Sequence, residues 1–311
     1  MTSQVVRTSL PLSVTEVTST ELASGSQDHG EDKPTFLLLH GYGGSSYTWH
    51  AWAPRLARFG RVISVDLMGF GNAPKPADGT YTPAEQARLV KELVGEMDLG
   101  RITLIGHSMG GGIALLSTLM LIDQGALPVD RLVLVAAAAM RQPLPPFVAM
   151  ARYPRLSRLM LRVVGAQRVI GVALKQIVHD PDSITREQIE TYARPLQERG
   201  GARAALAMGK EILPDDIDRI TGRYPEITIP TLLLWGEHDR VIPLWVARRL
   251  EEAMPNAELT VLEACGHIPR KSFPTNRGRP LSTSSHAIRE TLISRPDSQN
   301  PAYRRRSRAS V

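Results

Sequence analysis

The sequence predicts an α/β fold built on a mostly parallel sheet, and three observations carry that expectation. Short apolar runs recur at 35–39, 61–66, 102–105, 131–135, 231–235 and 258–262, and helical patterns lie between them. The runs are apolar for most of their length instead of alternating, as strands buried on both faces are. At 311 residues, with 42% hydrophobic and 22% charged residues, the chain has an ordinary globular composition and the length for one large α/β domain with an insertion.

Each element follows from local chemistry. Residues 1–33 are polar and Ser/Thr-rich and read as a leader with an edge hairpin around Leu12 to Leu22. Helices are expected at 49–58, 83–97, 109–123 and 243–254, two of them opening on Pro83 and Pro243, since proline suits a first helical turn. The stretch from Gln142 to Tyr224 breaks the alternation with helical patterns and no convincing strand. Pro143, Pro145 and Pro146 open it, and Pro225 and Pro230 stand at its exit. It reads as a helical insertion. Its apolar residues Met150, Leu156, Met160, Leu161, Val163, Val164, Ile170 and Leu174 sit among arginines, and either pack the insertion down or line a pocket under a lid. The domain plan is therefore a core of 34–141 and 225–274, a helical cap of 142–224 and a tail of 275–311.

Charge narrows the function classes. The formal charge is +6, and eight arginines against Glu290 and Asp297 place all of it in residues 275–311. The rest of the chain is neutral, so the folded part has no net charge for nucleic acid, and only the tail could act as a basic arm. No apolar run is long enough to span a membrane, and no membrane partner is expected. The first residues lack the pattern of a secretory signal. A lone cysteine, Cys265, permits no internal disulfide and no cysteine metal cluster, which points to a reducing, cytoplasmic setting and no metal.

The chemistry is concentrated in one motif. Gly106-His107-Ser108-Met109-Gly110 lies between a predicted strand and an apolar helix, the setting of a G-x-S-x-G nucleophile elbow. Ser108 needs a base. His267, in Cys265-Gly266-His267-Ile268-Pro269 just past the last strand, is the best placed histidine. An imidazole base needs an orienting carboxylate, and Asp239 in Gly236-Glu237-His238-Asp239-Arg240 follows a strand end, with Glu237 as its rival. Two backbone donors are expected to form the oxyanion hole: Met109 after the nucleophile, and Tyr42, with Gly41 as rival, in His40-Gly41-Tyr42-Gly43-Gly44. That glycine loop fails the dinucleotide spacing, because Ser46 occupies the last glycine position.

On these residues the chain resembles the α/β-hydrolase superfamily, in particular its lid-bearing esterase and C–C hydrolase branches. The likeness runs from about Thr35 to Pro269 and includes Asp66-Leu67-Met68-Gly69-Phe70-Gly71 beside the motifs above. The resemblance implies the α/β-hydrolase fold with about eight strands, helices on both faces and a cap after the sixth strand. It also implies a cofactor-free, two-step acyl-enzyme mechanism. His40, Gly41, Gly106 and Gly110 are the supporting loop positions. Departures from the family pattern are Asn72-Ala73, where a small residue such as serine is usual, and the abrupt shift to Ser, Arg and Pro from Arg270 onward. That shift suggests a reading-frame change, which translating the coding DNA in its other frames tests. The expected activity is hydrolysis of a small to medium, partly apolar carboxylic ester. C–C bond or lactone hydrolysis with the same residues is the alternative, and a non-catalytic ligand-binding protein of this fold is an alternative of another class.

Overall fold

A computed structural model of the protein describes residues 2–18 and 34–268. The basic tail, the short apolar stripe at Ala287, Ile288, Leu292 and Ile293, and the last residues assigned to the core lie outside the described residues. The described residues form eight strands, β1 (Thr2–Val6), β2 (Ser13–Thr18), β3 (Thr35–Leu39), β4 (Arg61–Asp66), β5 (Ile102–His107), β6 (Val129–Val135), β7 (Thr231–Gly236) and β8 (Ala257–Leu262). They form one sheet in the order β1-β2-β4-β3-β5-β6-β7-β8. The six strands from β4 to β8 in that order run parallel, and β2 joins β4 antiparallel, with β1 antiparallel at the outer edge.

The helices are α1 (Ala53–Leu56), α2 (Pro83–Glu96), α3 (Met109–Asp123), α4 (Pro146–Ala149), α5 (Pro154–Val163), α6 (Ala166–Ile177), α7 (Arg186–Gln197), α8 (Gly201–Lys210), α9 (Ile217–Thr221) and α10 (Leu244–Ala253). Both sheet faces are covered, and the strand residues divide between two apolar clusters by parity. Leu37, Leu39, Leu104, Leu134 and Leu233 pack with residues of α2, α3 and α10. Phe36, Leu38, Ile105, Val133 and Leu234 gather with Trp49, Trp52 and Leu56. These strand residues are 0–2% exposed, which explains the continuous apolar runs, and each such side chain contributes roughly 1.5–3 kcal/mol by burial.

Two expectations need correction. The edge hairpin lies at 2–6 and 13–18 instead of around Leu12 to Leu22; β1 is polar and exposed, so it gives no apolar signal. The single helix expected at 49–58 is a 3-10 turn, Ser46–Trp49, followed by the four-residue α1. Trp49, Trp52, Ala53 and Leu56 are buried at helical spacing, but Pro54 has no N–H to continue a helix through it. Helices α4 to α9 fall between β6 and β7, with no strand among the described residues of that stretch.

Candidate active site

The elbow is built by what its glycines leave out. Ser108 links β5 to α3 with φ 53° and ψ −118°, a left-handed backbone that costs on the order of 1–3 kcal/mol for a residue with a side chain. A Cβ on Gly106 would lie 2.3 Å from the Gly110 carbonyl oxygen, and one on Gly110 would lie 2.4 Å and 2.5 Å from those of Leu39 and His40. Strand and helix therefore cross at backbone contact. The strained turn is held by Ser108 N–H donating to Val135 O and by Gly111 and Ala138 N–H donating to Ser108 O, each at 2.9 Å. Ser108 caps a fifteen-residue helix whose first N–H groups, Met109's among them, have no acceptor within the helix, so negative charge is favoured there.

The loops after β7 and β8 bring the other two groups together. His267 Nδ1 lies 2.9 Å from Asp239 Oδ2, with 5% and 0% of the two side chains exposed. The second oxygen, Oδ1, accepts the N–H groups of Val241 at 2.8 Å and Ile242 at 2.9 Å. With the carboxylate as acceptor, Nδ1 carries the proton and Nε2 is left as the basic nitrogen. Ser108 and His267 line the same cavity. Glu237, the rival carboxylate, is about half exposed and lies 3.6 Å from His238 instead.

Contacts with no signature in the sequence fix the His267 backbone. Its carbonyl faces His107 Nε2 at 3.0 Å, and its N–H donates to Ile177 O, at the end of α6, at 2.8 Å. A Cβ on the neighbouring Gly266 would meet His179 N, Ile177 O and Val178 C within 2.8 Å. The insertion is thus seated directly on the loop that carries His267.

The glycine loop after β3 is fixed from beneath by His40. This imidazole is fully buried; Nδ1 donates to Gly41 O at 2.8 Å, and Nε2 accepts Leu67 N–H at 3.0 Å. Burial holds its pKa below the ordinary 6.5, outweighing the pull of Asp66 and of the Gly41 carbonyl toward the charged form. Gly41 passes so near the elbow that a Cβ there would touch His107 Nδ1 at 2.9 Å and Ser108 Cβ at 3.1 Å. Tyr42 follows, its hydroxyl donating to Ala205 O of α8 at 2.8 Å, and burial pushes that phenol's pKa up. Asp66 closes the neighbouring turn by accepting the N–H groups of Ser46 and Asn72.

These groups open on a cavity of about 200 Å³. Met160, Leu161, Ile170 and Leu174 of the insertion and Val241 and Ile242 of the core form much of its wall. Among the described residues no Asp, Glu, Lys or Arg lines it. Leu156, Val163 and Val164, equal candidates for a lining role by sequence, are instead 53%, 73% and 42% exposed.

A family model described as the alpha/beta hydrolase family matches residues 36–276. An uncharacterized protein of Mycobacterium tuberculosis strain H37Rv is 30% identical over 254 residues, which cover 78% of this chain and 72% of that protein. The 2-hydroxymuconate semialdehyde hydrolase of Pseudomonas putida is 30% identical over 250 residues, 77% of this chain and 82% of its own. Among solved structures, an esterase from Exiguobacterium antarcticum has a TM-score of 0.68 at 21% identity, covering 91% and 94% of the two chains, a likeness of fold.

Proposed function

Because this chain belongs to the alpha/beta hydrolase family, we propose that it is a serine hydrolase of apolar carboxylic esters, with Ser108, His267 and Asp239 as its catalytic residues. The supporting observation is an apolar cavity, with no Asp, Glu, Lys or Arg among its described lining residues, that opens on Ser108 and on the imidazole held by Asp239. In this reading Ser108 Oγ attacks the ester carbonyl and His267 Nε2 takes its proton. The N–H groups of Met109 and Tyr42 receive the oxyanion, each worth on the order of a hundred to a thousandfold in rate. The tetrahedral intermediate expels the alcohol, protonated by His267, and leaves an acyl-enzyme on Ser108. Water deprotonated by His267 then releases the acid and restores the hydroxyl. Residues 142–224 act as the cap that encloses the acyl part, and His40, Gly41, Gly106 and Gly110 keep the donors and the nucleophile in register.

A second reading, C–C bond hydrolysis, is favoured by the identity to 2-hydroxymuconate semialdehyde hydrolase. A muconate semialdehyde carries a carboxylate, and a buried carboxylate calls for a cationic partner. The cavity offers none among its described lining residues, which favours the ester. Turnover of p-nitrophenyl esters of increasing acyl length, set beside 2-hydroxymuconate semialdehyde, tests the choice. Higher kcat/KM on the esters, abolished in Ser108→Ala, is the expected result; faster cleavage of the dienoate would replace the ester reading. Fluorophosphonate should label Ser108, and an inert serine would leave only a binding role for the fold.

A further inference from the structure

Helices α5 and α6 have two unlike faces. Inward, Met160, Leu161, Ile170 and Leu174 form cavity wall. Outward, Leu156, Leu159 and Val163 are 53%, 57% and 73% exposed, and their spacing of three and four residues sets them in one stripe. Arg155, Arg158 and Arg162 repeat that spacing one residue away and form a parallel cationic stripe. Val172 is 60% exposed on α6 and shares its outer face with Arg168 and Lys175. Arg152 and Tyr153 precede α5, both exposed.

No Asp or Glu occurs anywhere from 142 to 179. Among the described residues, none of Arg152, Arg155, Arg158, Arg162, Arg168 and Lys175 forms an ion pair. The chain's neutrality outside its tail thus conceals a local surface of six unpaired cations beside exposed leucine and valine. Cations alone would suit any polyanion. Exposed aliphatic side chains between them suit a surface with phosphates at its rim and acyl chains beneath, the setting in which basic amphipathic helices lie flat. With ten residues, α5 is far too short to span a bilayer, so the length argument against a membrane partner does not bear on it.

We propose that the outer faces of α5 and α6 dock the protein peripherally on an anionic lipid surface, and that the cavity behind them draws its acyl ester from that surface. The second half of this statement rests on the hydrolase reading above. Phosphates pair with the arginines, the Leu156, Leu159 and Val163 stripe enters the acyl boundary, and a lipid leaving the surface meets the cavity wall on the reverse of the same helices.

Flotation of the full chain with vesicles tests the docking without turnover. Strong binding to an equal mixture of phosphatidylcholine and phosphatidylglycerol, weak binding to phosphatidylcholine alone, and weakening with salt are expected. Arg155→Gln/Arg158→Gln/Arg162→Gln should lower partitioning on the order of a hundredfold, at roughly fivefold per cation near an anionic surface. The corresponding triple lysine variant should retain most of the binding, and Leu156→Ser/Leu159→Ser should lose it despite an unchanged charge. Turnover of soluble p-nitrophenyl butyrate should persist in every variant and reports folding and the hydrolase reading separately. Equal binding by the wild type and the triple glutamine variant would overturn the proposal and assign lipid affinity elsewhere, for example to Arg304–Arg308. Failure of the wild type to bind vesicles, or binding to DNA in their place, would also overturn it. Vesicle binding by a protein inert toward soluble esters would leave the docking standing and remove its substrate half.

Discussion

Asp239 holds His267 through one oxygen and its own loop through the other. Oδ2 meets His267 Nδ1 at 2.9 Å, while Oδ1 accepts two backbone N–H groups, from Val241 and Ile242. Both side chains are buried, so water does not compete for these bonds. His107 and Ile177 fix the backbone of the same histidine from the elbow and from the insertion. The direction of the imidazole is therefore set by three parts of the chain far apart in sequence.

Asp239→Asn separates the two duties. The asparagine oxygen can still accept from Val241 and Ile242, so stability should change by no more than about 1 kcal/mol. Its amide would present a donor to Nδ1, forcing the proton to Nε2 and removing the base. Loss of kcat by roughly ten-thousandfold on a short ester is expected, read from steady-state kinetics beside a denaturation curve. An active variant would show that the tautomer of His267 does not limit the reaction.

His40 should make the fold pH-sensitive. Its folded-state pKa lies below 6.5 because burial disfavours the cation, whereas in the unfolded chain it titrates at the ordinary value. Below about pH 6.5 the unfolded state therefore binds the extra proton, and stability falls with pH until the folded value is reached. The slope is at most about 1.4 kcal/mol per pH unit for one proton. Urea denaturation of wild type and His40→Gln should show the wild type losing more stability between about pH 7.5 and about pH 5.5. Parallel losses would mean that His40 takes up its proton equally in both states.

Tyr42 is expected to act through its backbone. The hydroxyl is committed to Ala205 O, 2.8 Å away, and anchors the glycine loop to α8. Tyr42→Phe should cost about 0.5–1.5 kcal/mol of stability and change kcat on a short ester by only about threefold. A loss near a hundredfold, the scale of an oxyanion donor, would mean that the hydroxyl itself serves the substrate.

What the sequence could disclose follows from where the information lies. Strands β3 to β7 were legible because both their faces are buried, and the elbow because its constraints fall within five consecutive residues. That Asp239 and His267 could meet followed from their places just after strands, a property of chain order, and the two side chains lie 2.9 Å apart. β1 was not legible, since Thr2, Ser3 and Gln4 face solvent and bury no apolar side chain. Nor was the hold of His107 and Ile177 on His267, because a bond between residues 160 or 90 positions apart leaves no local pattern. The same limit explains why Leu161 and Val163, alike as apolar residues of one helix, could not be assigned, one to the cavity and the other to the outer face, until the position of the cavity was known.

Gly110→Ala tests whether the elbow depends on backbone contact between α3 and β3. The added methyl would lie 2.4 Å from Leu39 O and 2.5 Å from His40 O, and neither carbonyl can rotate away as a side chain could. Helix α3 must then move off β3, carrying Ser108 away from the loop that holds Tyr42. A destabilisation of about 1–3 kcal/mol or more is expected. A fall in kcat of roughly a hundredfold should accompany it, the scale set by an ångström of misplacement. Gly95→Ala, in α2 with nothing within 4 Å of the new methyl, should instead be neutral or stabilising by about 0.5–1 kcal/mol. Thermal melts and turnover of both variants decide the matter: equal behaviour would show that the close crossing is incidental to the position of Ser108.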